Sequence, residues 1–188
     1  MYPYRMIKIA QREDPVLRNK ARALSVEEIK SEQTKKIIAD MKSALRKESD
    51  GIALAAPQIG IPLQIFIISD ELLALADKSY KKTGKDLVFF NPHITKLSKE
   101  KLPVEEGCLS VRWLYGITKR SIKASISYLD EDGIKKERGG SGILAQIFQH
   151  ECDHLNGILF TDIAEELWEM TEEEIQEIKN KNSKQKHE

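Results

Sequence analysis

Gln149-His150-Glu151-Cys152-Asp153-His154-Leu155-Asn156-Gly157 contains His-Glu-x-x-His, and the rest of the chain is organised around it. On an α-helix, residues four apart stack on one face with Cβ atoms about 5–6 Å apart, so His150 and His154 can offer two imidazole nitrogens to one metal ion. Glu151, one residue round, can reach a water beside that ion and act as general base for hydrolysis. The plain alternative is a surface helix that carries two histidines by chance. Against it, Ile147 and Ile143 continue the histidine stripe as an apolar stripe, which predicts a buried helix over 142–156. Ser141 is a candidate cap for its start, and Gly157 stands where a left-handed residue is wanted at its end. Cys152 lies about 200° around the helix from His150 and points away from the histidines.

Composition narrows the function classes. The 188 residues hold 40% hydrophobic and 6% aromatic side chains, enough for one well-formed core and short for two, so residues 1–188 are expected to form a single domain. Lysine plus arginine equals aspartate plus glutamate at 30 each, which leaves no global field for nucleic acid. Two cysteines make no disulfide framework, the opening Met1-Tyr2-Pro3-Tyr4-Arg5 lacks the apolar run of a signal peptide, and no apolar run approaches membrane-spanning length. A reducing cytoplasm, which keeps a metal-binding thiolate intact, is the expected setting.

Along the chain, the apolar Met6-Ile7-Lys8-Ile9-Ala10 precedes a turn at Asp14-Pro15. A helix is expected from about Val26 to Lys47, with Ser25 and Glu28 spaced as a capping box and Ile29, Ile37, Met41 and Leu45 as its apolar face. Asp50-Gly51 ends it. Small residues then crowd Gly51–Gly60, where the backbone can approach a ligand or simply turn tightly before a strand. Gln64–Ile68 and Leu87–Phe90 read as buried strands, separated by an exposed loop around Lys78–Lys85. Ile122, Ala124, Ile126 and Tyr128 alternate as a half-buried strand, and Asp132-Gly133 turns the chain back into Ile134–Arg138. Thr171-Glu172-Glu173-Glu174 opens a final helix, and residues 182–188 read as a disordered tail.

Catalytic metal sites usually carry three protein ligands and one open position. A third histidine six residues beyond His154 is absent, since that position holds Phe160. Glu172, Glu173 and Glu174 suit a glutamate ligand on spacing but look like the charged first turn of a surface helix. Cys108, between Gly107 and Leu109, is the preferred candidate, although a lone cysteine is more often a small core residue.

Three segments, Gly51-Ile52-Ala53-Leu54-Ala55-Ala56-Pro57-Gln58, Glu106-Gly107-Cys108-Leu109-Ser110 and Gln149-His150-Glu151-Cys152-Asp153-His154-Leu155, resemble the three signature motifs of the peptide deformylases in their family order. The likeness extends more loosely from Asp14-Pro15-Val16-Leu17-Arg18 to about Ile163. It implies an α+β fold, with small mixed or antiparallel sheets around a central metal-binding helix. It also implies removal of the formyl group from the N-terminal formylmethionine of nascent bacterial or organellar proteins. By the same resemblance Cys108, His150 and His154 hold one divalent metal ion, typically Fe2+, with Zn2+, Ni2+ or Co2+ able to substitute. Glu151 handles protons, while the Gln58 side chain and the Leu109 backbone N–H face the oxyanion. Ile143 and Ile147, with Val104 nearby, are expected to line the methionine pocket, and Ile52 and Gly107 to offer backbone groups to an added peptide strand. Formyl-Met chain ends are the expected partners. Association with the ribosome is compatible with that role but has no signature in the sequence.

Two departures stand out. The family usually has glycine where this chain has Ala53, and proline where Arg112 precedes Trp113, which puts a cation and a large ring near the cleft rim. Glu106 and Arg120 match a pair that braces the family's site. A general His-Glu-x-x-His metallopeptidase, which needs neither Gln58 nor Cys108, is one rival reading. A metal-binding relative weakened by Ala53 is the other.

Overall fold

Continuous apolar runs in the middle of the chain require burial on both faces, and the architecture supplies it. The computed structural model of the chain describes residues 7–185. Its elements are α1 (Val26–Lys30), α2 (Glu32–Leu45), β1 (Ala53–Ala55), β2 (Ile65–Ile68), α3 (Asp70–Ala76), β3 (Leu87–Leu97), β4 (Lys101–Gly107), β5 (Leu114–Ser121), β6 (Lys123–Leu129), β7 (Lys135–Ser141), α4 (Ile143–Leu155), β8 (Glu166–Glu169) and α5 (Glu172–Gln185). Among the described residues, two antiparallel sheets form, one of five strands in the order β1-β2-β3-β6-β7 and one of three in the order β4-β5-β8. The fold is α+β. Helix α4, which carries both histidines, lies on the five-stranded sheet, and α2 covers the opposite face.

Strand β2 shows why. Phe66 and Ile68 pack with Phe89, Ile126, Ala145, Phe148 and Cys152 on the α4 side. Ile65 and Ile67 pack with Ile37, Ile38, Met41 and Leu45 on the α2 side. All four β2 side chains have no solvent exposure, as expected of a strand covered on both faces. The rings of Phe66 and Phe89 stack at 4.4 Å, and Phe148 meets Phe89 edge-on at 5.8 Å, which docks α4 onto β3.

Several boundaries differ from expectation for local reasons. The helix expected over 26–47 is two helices, because Ser31 is extended and its hydroxyl accepts from Thr34 N–H, starting α2 afresh. The capping box of Ser25 and Glu28 is present. Strand β3 continues through Pro92 to Leu97 across a bulge. Asn91 has φ +47 there, and its amide side chain exchanges hydrogen bonds with both Leu24 backbone groups at 2.7 and 2.8 Å. Ser141 does not cap α4. It is the last residue of β7, and Gly142 takes the N-cap position with no side-chain bond. Gly157 is left-handed as expected, with φ +76, and a Cβ there would lie 2.6 Å from the Arg18 carbonyl oxygen. Helix α5 runs to Gln185, four residues into the expected tail; 186–188, like Met6 of the opening apolar stretch, lie outside the described residues.

The loop around Lys78–Lys85 is tied to α3 chiefly by one carboxylate, with Lys82 also 3.6 Å from Glu71. Asp70 accepts from Tyr80 Oη at 2.7 Å, from the Thr83 N–H and hydroxyl at 3.0 Å, and from Gly84 N–H at 2.9 Å. These donors, the Tyr80 hydroxyl first, hold its pKa at about 2. A lowered carboxylate pKa contributes stability above the unfolded value of about 3.9, and that contribution fades as the pH falls through about 2. Asp70→Asn should therefore lower Tm at neutral pH and speed tryptic cleavage within 78–85. The gap in Tm between mutant and wild type should narrow in acid. Equal cleavage rates at neutral pH would show that the carboxylate is not the anchor.

Candidate active site

The ligand stripe of α4 faces the end of β4, and that meeting makes the site. Strand β4 ends at Gly107, which pairs with Tyr115 of β5; a Cβ on Gly107 would stand 2.5 Å from the Tyr115 ring, so only glycine lets the two strands close here. The next residue, Cys108, comes to α4 with its Sγ 3.2 Å from His154 Nε2. Cys108, His150 and His154 each present a ligand atom, and these atoms lie within 4.8 Å of one another.

The set fits a divalent cation on chemical grounds. One soft sulfur and two imidazole nitrogens are donors for a first-row transition metal. In the protein alone, burial opposes a thiolate at Cys108, but the neighbouring imidazoles of His154 and His150 outweigh it and bring the pKa well below the ordinary thiol value. Burial likewise opposes charge on His150, and its contacts with Cys108 and Glu106 outweigh that in turn. The pocket is thus built to hold separated charge at the point where the three donors converge. Glu151 beside them is 4% exposed, and its Oε2 is buried with no hydrogen-bond partner among the described residues. Burial pushes its pKa up to about 7. An orphaned carboxylate oxygen next to three converging ligands is what a bound water or substrate would satisfy.

The expected brace is present and larger than expected. Glu106 accepts from Arg120 Nε at 2.6 Å and Nη2 at 3.0 Å, and its Oε2 lies 3.1 Å from His150 Nδ1. Arg120 also donates to Asp153 at 2.6 Å, so one guanidinium joins β5, β4 and α4. Burial alone would raise the Glu106 pKa, but its bonds to His150 and Arg120 hold it at about 2. Asp153 was not singled out in the sequence, although its place three residues after His150 puts it on the same side of the helix. Gln149 was also missed: its amide bonds both backbone groups of Ser121 at 3.0 Å and pins α4 to the end of β5.

Gln58 is 2% exposed, with Oε1 accepting from Ala55 N–H at 2.7 Å and Nε2 donating to Ser110 Oγ at 3.2 Å and Cys108 Sγ at 3.5 Å. The amide nitrogen is therefore turned toward Cys108 and the two histidines beside it. Gln58, Ile52, Gly107, Leu109, Ile143 and Ile147 all line one cavity of about 210 Å³ together with Cys108, His150 and Glu151. Val104 is not among its walls, which β4 supplies with Glu105, Glu106 and Gly107. The Ile52 carbonyl accepts from Ser69 N–H at 2.9 Å, so a peptide would share it. Cys152 is buried in the core with its pKa pushed up to about 12, chiefly by burial, and Glu172, Glu173 and Glu174 are exposed on α5.

Comparison with known proteins agrees with this geometry. A family profile described as polypeptide deformylase matches residues 6–169. The chain is 39% identical over 155 residues to peptide deformylase 2 of Clostridium acetobutylicum, covering 82% of this chain and 92% of that one. The chain belongs to the peptide deformylase family.

Peptide deformylase 1A of Arabidopsis thaliana, chloroplastic/mitochondrial, is 40% identical over 79% of this chain, which spans 58% of that longer protein. A crystal structure of the class I type b peptide deformylase from Acinetobacter baumannii bound to Met-Ala-Ser superposes with a TM-score of 0.72 at 30% identity, covering 84% of this chain and 98% of that one. The protein is thus a deformylase that hydrolyses the N-formyl group of formylmethionine peptides with a single metal ion, releasing formate. The general metallopeptidase reading is not favoured. No helix among the described residues is long and apolar enough to cross a membrane.

The brace makes a prediction about metal affinity. Glu106→Gln keeps the size of the side chain but loses the charge that orients His150, and should weaken metal binding about 10–100-fold. Asp153→Asn, which touches Arg120 and no ligand, should weaken it less. Competition with a chromophoric chelator measures both, with circular dichroism confirming the fold; unchanged affinity in the Glu106 variant would remove the brace from the metal site.

Proposed function

We propose that Cys108, His150 and His154 are the metal ligands, that Glu151 is the proton-transfer residue, and that Gln58 and Leu109 stabilise the oxyanion. Cys108, His150 and His154 would hold a divalent cation, which would supply Lewis acidity and lower the pKa of a water toward neutrality. Glu151 accepts the proton of the attacking water and returns it to the departing amine, so that the formyl C–N bond breaks to leave formate and a free N-terminus. Gln58 Nε2 and the Leu109 N–H donate to the carbonyl oxygen as it gains charge. The observation that carries this reading is the buried, unpartnered Glu151 oxygen beside three converging ligand atoms.

The substrate reading follows from two sheet edges. Strands β1 and β4 are edge strands of different sheets, and residues of both line the cavity. An extended peptide entering there can bond to backbone groups near Ile52 and Gly107, with its methionine side chain against Ile143 and Ile147. The Met-Ala-Ser ligand of the Acinetobacter baumannii protein is the deformylated form of such a peptide. Ala53 does not demand glycine on conformational grounds, because it lies in β1 and is not among the residues with positive φ. This weighs against a protein disabled by that substitution. Nascent formyl-Met chains in a bacterial cytoplasm or an organelle are the proposed substrates, in line with bacterial and chloroplastic/mitochondrial relatives.

Glu151→Gln tests the mechanism. The variant should keep its metal and lose formate release by at least about 10²-fold, the lower end for a lost acid–base group; near wild-type turnover at full occupancy would take Glu151 out of the reaction. For the metal we propose ferrous iron, with the Cys108 thiolate making performance depend on which ion is bound. Anaerobic Fe2+ protein should be highly active and decay in air, whereas Ni2+ or Co2+ protein should persist. A Zn2+ form that is fastest at equal occupancy, or equal decay of all forms, would contradict iron and leave the ligand set standing.

A further inference from the structure

Beyond the reacting groups, the rim of the cleft carries a backbone conformation that its side chain does not favour. Leu114 N–H donates to the Val111 carbonyl at 3.3 Å, closing a turn over residues 111–114 in which Trp113 is the third residue. Trp113 has φ +62. Glycine or asparagine normally fills a third turn position with positive φ, and a bulky side chain there is strained. Strain of this kind persists only where surrounding structure holds it, and such residues cluster at functional sites.

The surrounding structure is Arg112. Its guanidinium donates to Asp50 at 2.5 Å and Glu48 at 2.6 Å, and sits 5.0 Å from the centre of the Trp113 ring. The three charged side chains are each about one-fifth to one-quarter exposed, a partly shielded ion triad rather than a loose surface pair. Arg112, Trp113 and Asp50 line the same cavity as Glu151 and Ile147. Two carboxylates already match the arginine, so the group holds the ring in place rather than offering a free cation to a substrate carboxylate.

We propose that Trp113 is the wall of a subsite for the residues that follow methionine, and that the strained turn serves to present its indole ring to them. If the turn served only to join β4 to β5, glycine at 113 would do so without strain. The ligand class is an extended formyl peptide whose second or third side chain carries apolar or planar surface, which gains contact with an aromatic face. Trp113 is thus a specificity-determining residue. The inference rests on the deformylase reading of the site.

The test compares wild type with Trp113→Phe, Trp113→Ala and Trp113→Gly on formyl-Met-Leu-Phe and on formyl-Met amide. Turnover of formyl-Met amide by wild type checks the deformylase reading separately. For the subsite, the ratio of kcat/KM for the tripeptide over the amide should fall about tenfold in both the Ala and Gly variants, through KM, and be largely restored by Phe. The strain is read by thermal melting: the Gly variant should melt a few degrees above the Ala variant, because only glycine accepts the positive φ. A ratio that stays at the wild-type value in the Ala and Gly variants would overturn the subsite. A Gly variant that melts at or below the Ala variant would overturn the strain that the argument starts from.

Discussion

The structure depends on one buried guanidinium. Arg120 is held by Glu106 on β4 and Asp153 on α4, with side-chain exposures of 7% for Arg120 and 1% for Glu106. Burying such charges costs as much as their attraction returns, so the triad adds little net stability, yet removing one partner would leave an uncompensated charge at a cost of about 3–5 kcal/mol. Its effect is therefore to specify geometry. It fixes the three-stranded sheet against α4 at one angle, and through Glu106 it sets the ring of His150. With that angle fixed, the residue just past β4 has one place to go, and Cys108 arrives beside His154.

The rest of the architecture keeps α4 from moving under that load. Phe148, Cys152 and Leu155 bury its back against the five-stranded sheet, and Gln149 ties its flank to Ser121. The face that carries His150, Glu151 and His154 is consequently left toward the second sheet. One helix thus serves as core on one side and as ligand platform on the other, which is why the hydrophobic stripe and the histidine stripe share a short sequence.

What was legible in the sequence was what has a short period or a local motif. His150 and His154 at helical spacing, the alternation of β6, the unbroken apolar β2 and the capping box at Ser25 all show in the structure. Features set by distant partners were not legible. Ser31 breaks a helix whose apolar spacing continues across it, and Asn91 carries β3 through a proline by bonding Leu24, which no window around either residue reveals. Strand β8 is exposed along its length and exists because β5 offers it an edge. In the site, Glu106 and Arg120 were readable as a pair from the family likeness, but Asp153 joined them only once α4 and β5 were seen side by side. Val104 was expected in the pocket from the family likeness alone, and the wall that β4 contributes is its last three residues, Glu105, Glu106 and Gly107.

The central claim is that Cys108, His150 and His154 form one metal site that works with Glu151. Protein stripped of metal by a chelator and titrated anaerobically with Fe2+, while formate release from a formyl-Met peptide is followed, tests it most directly. The account predicts negligible formate release from the stripped protein, a linear rise to one equivalent of iron per chain, and a plateau thereafter. Formate release from the stripped protein, or a rise that continues to two equivalents, would contradict it.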